Sequence, residues 1–161
     1  MHMFKNTYSA DIEINASSEK VWQTLVQTAD YHLWNTFTPV VDLDWKIGSP
    51  VVMKVQMNPG KKPLDQTETL CEYQAPVKIA WEMNWPLPLP LPILLKAKRT
   101  QEVIRIDDSR CIYKTVDTIQ GLLAPIVDLL YGKHIQNGFE RVATGIKEYV
   151  ETNSDKLSSE D

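Results

Sequence analysis

Three residues of this chain could supply acid–base chemistry from positions facing an apolar pocket, namely Asp117, Glu102 and His134. Asp117 alternates with Tyr113 on a predicted strand, and His134 lies on the apolar stripe of a predicted helix. A carboxylate and an imidazole in a dry pocket could act as general base and acid in an aldol-type cyclisation or a dehydration, because burial raises a carboxyl pKa toward neutrality. A single His on an apolar face is nevertheless more often a core or rim residue, and strand carboxylates more often face solvent.

The direction of Glu102 depends on which face of its strand is buried. If Ile104 and Ile106 define the inner face, Glu102 points into the pocket. Ala97 and Val103 favour the opposite face, because side chains alternate strictly along a strand. The sequence leaves both directions open.

Other common catalytic chemistries lack their motifs here. The chain has no Ser/His/Asp triad pattern, phosphate-binding loop, GxGxxG or HExxH sequence. Cys71 and Cys111 match no zinc-ligand spacing. We therefore expect no metal site and no cofactor, which leaves acid–base chemistry or plain ligand binding.

The apolar residues predicted to line the pocket are rich in Trp and Met. Met adapts its shape to a ligand, and Trp offers one donor on a large apolar body, so this composition suits a bulky hydrophobic or amphipathic ligand. Each residue taken singly is also explained as ordinary core. The predicted ligand-binding residues are Trp34, Phe37, Met53, Val55, Met57, Ile79, Trp81, Met83, Tyr113, Leu130, Tyr131, His134 and Gly138, with Trp22, Ile135 and Val142 as further wall candidates.

Glycines within the predicted helix need an explanation, because each costs about 1 kcal/mol relative to Ala in a helix interior. Gly138 and Gly145 are seven residues apart on the predicted sheet-facing side. Small residues there permit either close packing or space for a ligand, and close packing is the more common reason.

The elements that position these residues follow from hydrophobic periodicity. Alternation over residues 8–15 predicts a strand, and Val21, Trp22 and Leu25 recur at helical spacing behind a Ser cap. Residues 30–34 predict a second short helical turn. Six more strands separated by turn residues extend to about Ile119, and a long amphipathic helix occupies the region from Gly121 to Glu151.

This order and several short motifs resemble the START/SRPBCC superfamily, especially its polyketide cyclase/dehydrase-like branch. The likeness covers about residues 5–150. The segments that carry it are Ile14-Asn-Ala-Ser-Ser-Glu19-Lys-Val21-Trp22, Tyr31-His-Leu-Trp34-Asn35, Ile47-Gly48, Ala75-Pro76 with Trp81, Gly121 to Pro125, and Gly138-Phe139.

The resemblance implies an α+β helix-grip fold, in which a curved antiparallel sheet of about seven strands wraps a long C-terminal helix and two short helices follow the first strand. It implies binding of a lipid, isoprenoid or polyketide-like molecule between sheet and helix. A cyclase or dehydratase that uses acid–base residues in the same cavity is the alternative.

The most unusual stretch is the Pro-Leu loop at residues 86–92, where Pro occupies every second position. Such a segment cannot supply ladder hydrogen bonds and is extended, so its leucines must cap the pocket or form an external contact. A homodimer contact and an interaction module built on this loop are therefore further alternatives.

Composition restricts the partners and the compartment. With 43% hydrophobic residues the chain can build one core, predicted as a single domain over residues 1–152 with a flexible polar tail at 153–161. The formal net charge of −4 argues against a nucleic-acid partner. No signal peptide or long apolar run is seen, so we expect a cytoplasmic protein without stable membrane insertion.

Overall fold

The computed structural model describes residues 3–84 and 94–158. In these ranges the chain forms seven strands, two α-helices and one 3-10 helix. In chain order they are β1 (Lys5–Ile14), α1 (Ser18–Val26), the 3-10 helix (Thr28–Leu33), β2 (Val40–Leu43), β3 (Pro50–Val55), β4 (Leu64–Gln74), β5 (Lys78–Asn84), β6 (Lys96–Arg105), β7 (Cys111–Gln120) and α2 (Ala124–Ser158).

The strands form one antiparallel sheet in the order β1-β7-β6-β5-β4-β3-β2. Its inner face is buried, and the alternation along β6 is typical: Ala97, Arg99, Gln101 and Val103 are all buried. The predicted helix-grip architecture is confirmed.

Helix α2 lies against the inner face because one stripe of it is apolar. Phe139, Val142, Ile146 and Val150 are almost fully buried. Hydrogen bonds join this helix to the edge strand β1, with Gln136 Nε2 donating to Ser9 O at 2.8 Å and Lys147 Nζ donating to Glu13 O at 2.9 Å. The helix is therefore held along one edge, while its first half lies opposite the middle of the sheet.

The short helices close one end of the grip. Ser17 caps α1 by accepting a hydrogen bond from Lys20 N at 3.3 Å, as its sequence position predicts. Tyr31 of the 3-10 helix is buried and donates from its hydroxyl to Leu25 O at 2.5 Å. This bond fixes the 3-10 helix, and the chain that follows it, against α1.

The predicted boundary at residue 152 lies inside a helix. Helix α2 continues from there to Ser158. A contact with α1 supports this extension, because Lys20 Nζ donates to Ser154 Oγ at 2.9 Å. The Pro-Leu loop at residues 86–92 lies outside the described residues. Within those residues, no helix is both long and apolar enough to cross a bilayer.

Candidate functional site

A cavity of about 140 Å³ lies between the inner face of the sheet and the first half of α2. Every strand from β3 to β7 contributes to its wall. Tyr131 is 42% exposed and therefore lies at the rim. The apolar lining residues are Phe37, Met53, Val55, Met57, Trp81, Met83, Leu95, Ala97, Ile119, Val127, Tyr131, Ile135 and Phe139.

Three charged residues enter this apolar wall: Glu68 of β4, Arg99 of β6 and Asp117 of β7. The register of the sheet explains part of the grouping, because Trp81 pairs with Arg99 and Arg99 pairs with Asp117. Trp81, Arg99 and Asp117 thus form one row across three neighbouring strands. Glu68 completes the cluster from the next strand.

Arg99 is buried, with 6% of its surface exposed. Its Nε donates to Thr115 Oγ1 at 3.2 Å, and its guanidinium carbon lies 4.7 Å from the Phe139 ring centroid and 5.8 Å from that of Trp81. Among the described residues, no carboxylate lies within 4.0 Å of its nitrogens as an ion-pair partner. The Arg99 guanidinium is therefore held by two aromatic rings and one hydroxyl, and it forms no ion pair with Glu68 or Asp117.

Burial strongly affects both carboxyl groups. Desolvation, with a smaller contribution from the Asp117 charge, raises the pKa of Glu68 to about 7, although Arg99 acts in the opposite direction. Desolvation raises the pKa of Asp117 to about 7 as well, again against Arg99. Near neutral pH each group therefore exchanges its proton readily, which is the property expected of general acids and bases.

Three buried polar atoms in the cross-strand row have no hydrogen-bond partner among the described residues. They are Arg99 Nη2, Trp81 Nε1 and Asp117 Oδ1, and each belongs to a residue that lines the cavity. Buried polar groups are nearly always hydrogen-bonded, so these three atoms are available to bind a polar group of a ligand or a water molecule. Two donors and one acceptor suit a ligand oxygen that carries a hydrogen.

Of the three predicted acid–base residues, only one lies at the cavity. Asp117 lines the cavity, whereas Glu102 faces away because β6 buries Ala97 and Val103. Of the two directions that the sequence leaves open for Glu102, the structure has the outward one, since Ile104 on the same face is 40% exposed. His134 lies on the outer side of α2, in a separate groove, so it shares no cavity with Asp117.

The predicted ligand-binding residues divide into two groups. Seven of them line the cavity: Phe37, Met53, Val55, Met57, Trp81, Met83 and Tyr131. Ile79 and Tyr113 are buried core residues that do not reach it, and the Tyr113 hydroxyl donates to Gln101 Oε1. Leu130 is 59% exposed, since α2 turns it toward solvent, and Trp34 lines the outer groove.

Gly138 serves close packing rather than ligand space. A Cβ atom there would lie 2.3 Å from the Phe37 ring, and one at Gly145 would lie 2.1 Å from Trp34 O. Both helical glycines therefore let the segment after the 3-10 helix approach α2. This contact holds Phe37 in the cavity wall.

Sequence reasoning missed Arg99 and Glu68. The signal available for Arg99 was the alternation of Ala97 and Val103, which puts Arg99 and Gln101 on the inner face of β6. Glu68 alternates with Leu70, which is fully buried. Both are charged residues at inward-facing positions of a strand, and this pattern could have identified them.

Comparison with known families agrees with this architecture. The family described as polyketide cyclase/dehydrase and lipid transport matches residues 5–96, more than half of the 161-residue chain. The chain belongs to this family. The match ends within β6, so Arg99, Asp117 and α2 lie outside it. No curated protein sequence is significantly similar to the chain.

Solved structures of the START/SRPBCC superfamily share the fold of this family member. Norcoclaurine synthase from Thalictrum flavum, in complex with dopamine and hydroxybenzaldehyde, has a TM-score of 0.65 at 14% identity, covering 93% of this chain and 88% of that one. The Zhui aromatase/cyclase from Streptomyces sp. R1128 gives 0.66 at 14%, covering 92% and 94%. A START superfamily protein from Mycobacterium smegmatis gives 0.66 at 14%, covering 91% and 97%. The resemblance seen in the sequence is thus confirmed, and at these identities it concerns the fold.

Proposed function

We propose that this protein binds an amphipathic small molecule whose apolar ring fills the cavity and whose hydroxyl or carbonyl oxygen meets Arg99, Trp81 and Asp117. The observation that carries the proposal is the row of three unsatisfied polar atoms on the wall of an otherwise apolar cavity. A ring hydroxyl can accept from both Arg99 Nη2 and Trp81 Nε1 and donate to Asp117 Oδ1. One ligand group then satisfies atoms on three strands.

The size of the cavity supports a ligand with one ring at this position. An apolar cavity of about 150 Å³ accommodates benzene, and the cavity here has about 140 Å³. Left empty, a space of this size costs about 3 kcal/mol at roughly 24 cal/mol per Å³. Filling it is therefore favourable, and the bulky ligand expected from the sequence must place the rest of its structure elsewhere.

Related structures are consistent with this ligand class. The norcoclaurine synthase structure contains dopamine and hydroxybenzaldehyde, and the family description includes both cyclases and lipid transport. Because the identities are low, these relatives support the general class, and the residues of this chain specify the polar contacts.

Binding of phenol and toluene tests the role of Arg99. We expect phenol to bind the wild-type protein, and Arg99→Met to weaken phenol binding about tenfold, because a hydrogen bond to a charged group contributes about 1.5–3 kcal/mol. Toluene, which has the same ring without the hydroxyl, should bind both proteins within threefold. Titration followed by ligand-observed NMR measures both affinities.

Arg105→Met is the matched control, since Arg105 lies on the same strand but is exposed. It should leave both affinities unchanged. If toluene and phenol both fail to bind the wild-type protein, the proposed binding function is wrong. Trp81→Phe, which removes the indole N–H together with part of the ring, should also weaken phenol binding, but less than Arg99→Met does.

The raised carboxyl pKa values favour a second function, acid–base catalysis by Glu68 and Asp117. In a dehydration, the ionised carboxylate would remove the proton next to a ketone while the protonated carboxyl donates to the departing hydroxyl, which leaves as water. Two groups that both titrate near pH 7 can share these roles at neutral pH. This pair replaces the predicted combination of Asp117 with Glu102 or His134.

A single-ring probe, 4-hydroxy-4-phenylbutan-2-one, tests this activity, because loss of water gives a conjugated enone with strong ultraviolet absorbance. We expect a bell-shaped pH profile centred near pH 7, and at least a tenfold loss of rate in Glu68→Gln and in Asp117→Asn. Glu102→Gln should have no effect. An unchanged rate in both cavity variants would exclude catalysis by this pair and leave binding as the function.

A further inference from the structure

An open groove of about 850 Å³ lies on the other side of the cavity wall. It runs along the outer face of α2, beside residues 33–36 and 57–59. Its apolar surface comes from Leu33, Trp34, Met57, Pro59 and Tyr149. The titratable groups facing it are His134, Glu140, Arg141, Glu148 and Tyr149, which carry both signs of charge.

Among the described residues, Met57 alone lines both spaces. At two further places sequence neighbours line different spaces: Thr36 lies in the groove and Phe37 in the cavity, and His134 lies in the groove and Ile135 in the cavity. The partition between the two spaces is thus one side chain thick at Met57.

Phe37 is the fixed part of this partition. Its ring packs edge-on against Phe139 at 5.5 Å between centroids, lies against Gly138, and has the Arg141 guanidinium 5.9 Å from its centroid on the groove side. Met57 is only half-buried, follows the end of β3, and has an unbranched side chain that changes rotamer at low cost. Rotation of Met57 therefore joins the two spaces without disturbing the core.

The cavity alone is smaller than most ligand pockets. Ligand pockets usually measure about 300–1,000 Å³. The cavity, at about 140 Å³, holds the ring and its polar contacts, whereas the groove, at about 850 Å³, has the missing room but none of the three unsatisfied atoms.

We propose that Met57 is a specificity-determining residue and that the ligand is a hydroxylated ring bearing an uncharged chain of several carbons. The ring occupies the cavity, and the chain passes Met57 to lie on the apolar surface of the groove. This inference rests on the proposed binding function and adds the length of the ligand and its path. The mixed charges of the groove give no preference for a charged chain.

The affinities for phenol and 4-hexylphenol test whether the chain of the ligand passes Met57. In the wild-type protein we expect 4-hexylphenol to bind at least tenfold tighter than phenol, since each buried methylene adds about fourfold in affinity. Met57→Trp closes the partition and should reduce this ratio to below threefold, whatever its effect on phenol itself. Met57→Ala should retain the full ratio.

Met53→Ala is the matched control, because Met53 lines the cavity and does not reach the groove. It should change the affinities for phenol and 4-hexylphenol by the same factor. An unchanged ratio in folded Met57→Trp overturns the inference, and loss of the ratio in Tyr131→Trp alone would show that the chain leaves by the rim instead. Failure of phenol itself to bind would refute the proposed function, which is a separate result.

Discussion

The free energy of unfolding should fall by about 3 kcal/mol or more between pH 5 and pH 8, because two buried carboxyl groups hold their protons more tightly in the folded state. Folding raises the pKa of Glu68 from 4.5 to about 7 and that of Asp117 from 3.8 to about 7. A difference of one pH unit in pKa corresponds to about 1.4 kcal/mol. Each group therefore contributes about 2.5 kcal/mol across this range, and the two together contribute up to about 5 kcal/mol.

The direction follows from proton binding. Between the two pKa values of each group, the folded protein binds more protons than the unfolded chain, so the stabilisation is complete below about pH 4 and is lost as the pH rises through about 7. Carboxylates with lowered pKa values, such as Glu72 and Glu151, have the opposite effect, but only below their ordinary titration range. Between pH 5 and pH 8, the change in unfolding free energy therefore reports on Glu68 and Asp117.

Urea unfolding at pH 5, 6, 7 and 8 measures the effect. Asp117→Asn and Glu68→Gln should each reduce the loss by about half, because each variant retains one titrating group, and each should be more stable than the wild-type protein at pH 8. Glu102→Gln, on the outer face of β6, should leave the pH dependence unchanged. A flat profile for the wild-type protein would mean that the two carboxyl groups are solvated in the folded state, and it would remove the basis for acid–base catalysis.

The sequence predicted the fold well because the fold depends on local patterns. Period-two alternation, turn residues and the long amphipathic helix specify seven strands and one crossing helix, and the structure has this order. The N-terminal cap at Ser17 is likewise a local signal that the structure confirms. Helix α2 extends past the predicted end because a contact from α1 reaches Ser154, and such a contact cannot be inferred from the helix itself.

The candidate site was harder to predict because it depends on pairing between distant residues. Trp81, Arg99 and Asp117 meet only through the register of β5, β6 and β7, which is set by the whole sheet. Asp117 and Trp81 were identified singly from their alternation. Arg99, which links them, lies in a basic stretch with Lys96 and Lys98, and only its position in the strand alternation distinguishes it from those exposed lysines.

The buried residues of α2 were also only partly predictable from its apolar stripe. Leu130 and Ile135 both fit an apolar stripe, yet Leu130 is exposed and Ile135 is buried. A stripe read from sequence is wider than the surface that the sheet covers. Phe139 is almost fully buried and lines the cavity, but the sequence identified it only as a motif residue.

Substitution of Gly145 by Ala should destabilise the protein by about 2–3 kcal/mol, although Ala is the better helix former by about 1 kcal/mol. A Cβ atom at this position would lie 2.1 Å from Trp34 O. The obstacle is backbone, so the whole segment that begins at Trp34 must move, and forcing extra atoms into a packed interior typically costs 1–3 kcal/mol or more.

That segment cannot move alone, because it is internally hydrogen-bonded. Asn35 Oδ1 accepts from Phe37 N at 3.2 Å and from Thr38 N at 2.8 Å, and Asn35 Nδ2 donates to Thr38 Oγ1 at 2.9 Å. Phe37 and Thr38 both line the cavity. Displacement at Trp34 is thus transmitted to the cavity wall, and phenol binding should weaken together with stability.

Gly138→Ala tests a side-chain obstacle, in contrast to the backbone obstacle at Gly145. Its Cβ atom would meet the Phe37 ring, a side chain that has the cavity beside it, so the ring can shift inward and the cost should be smaller than at Gly145. Asn137→Ala, at an exposed position of the same helix, should change stability by less than about 0.5 kcal/mol. Thermal and urea unfolding of the three variants give the order. Equal stability of Gly145→Ala and Asn137→Ala would show that the segment after the 3-10 helix does not pack closely on α2, and Phe37 would then lose its role as the fixed part of the partition beside Met57.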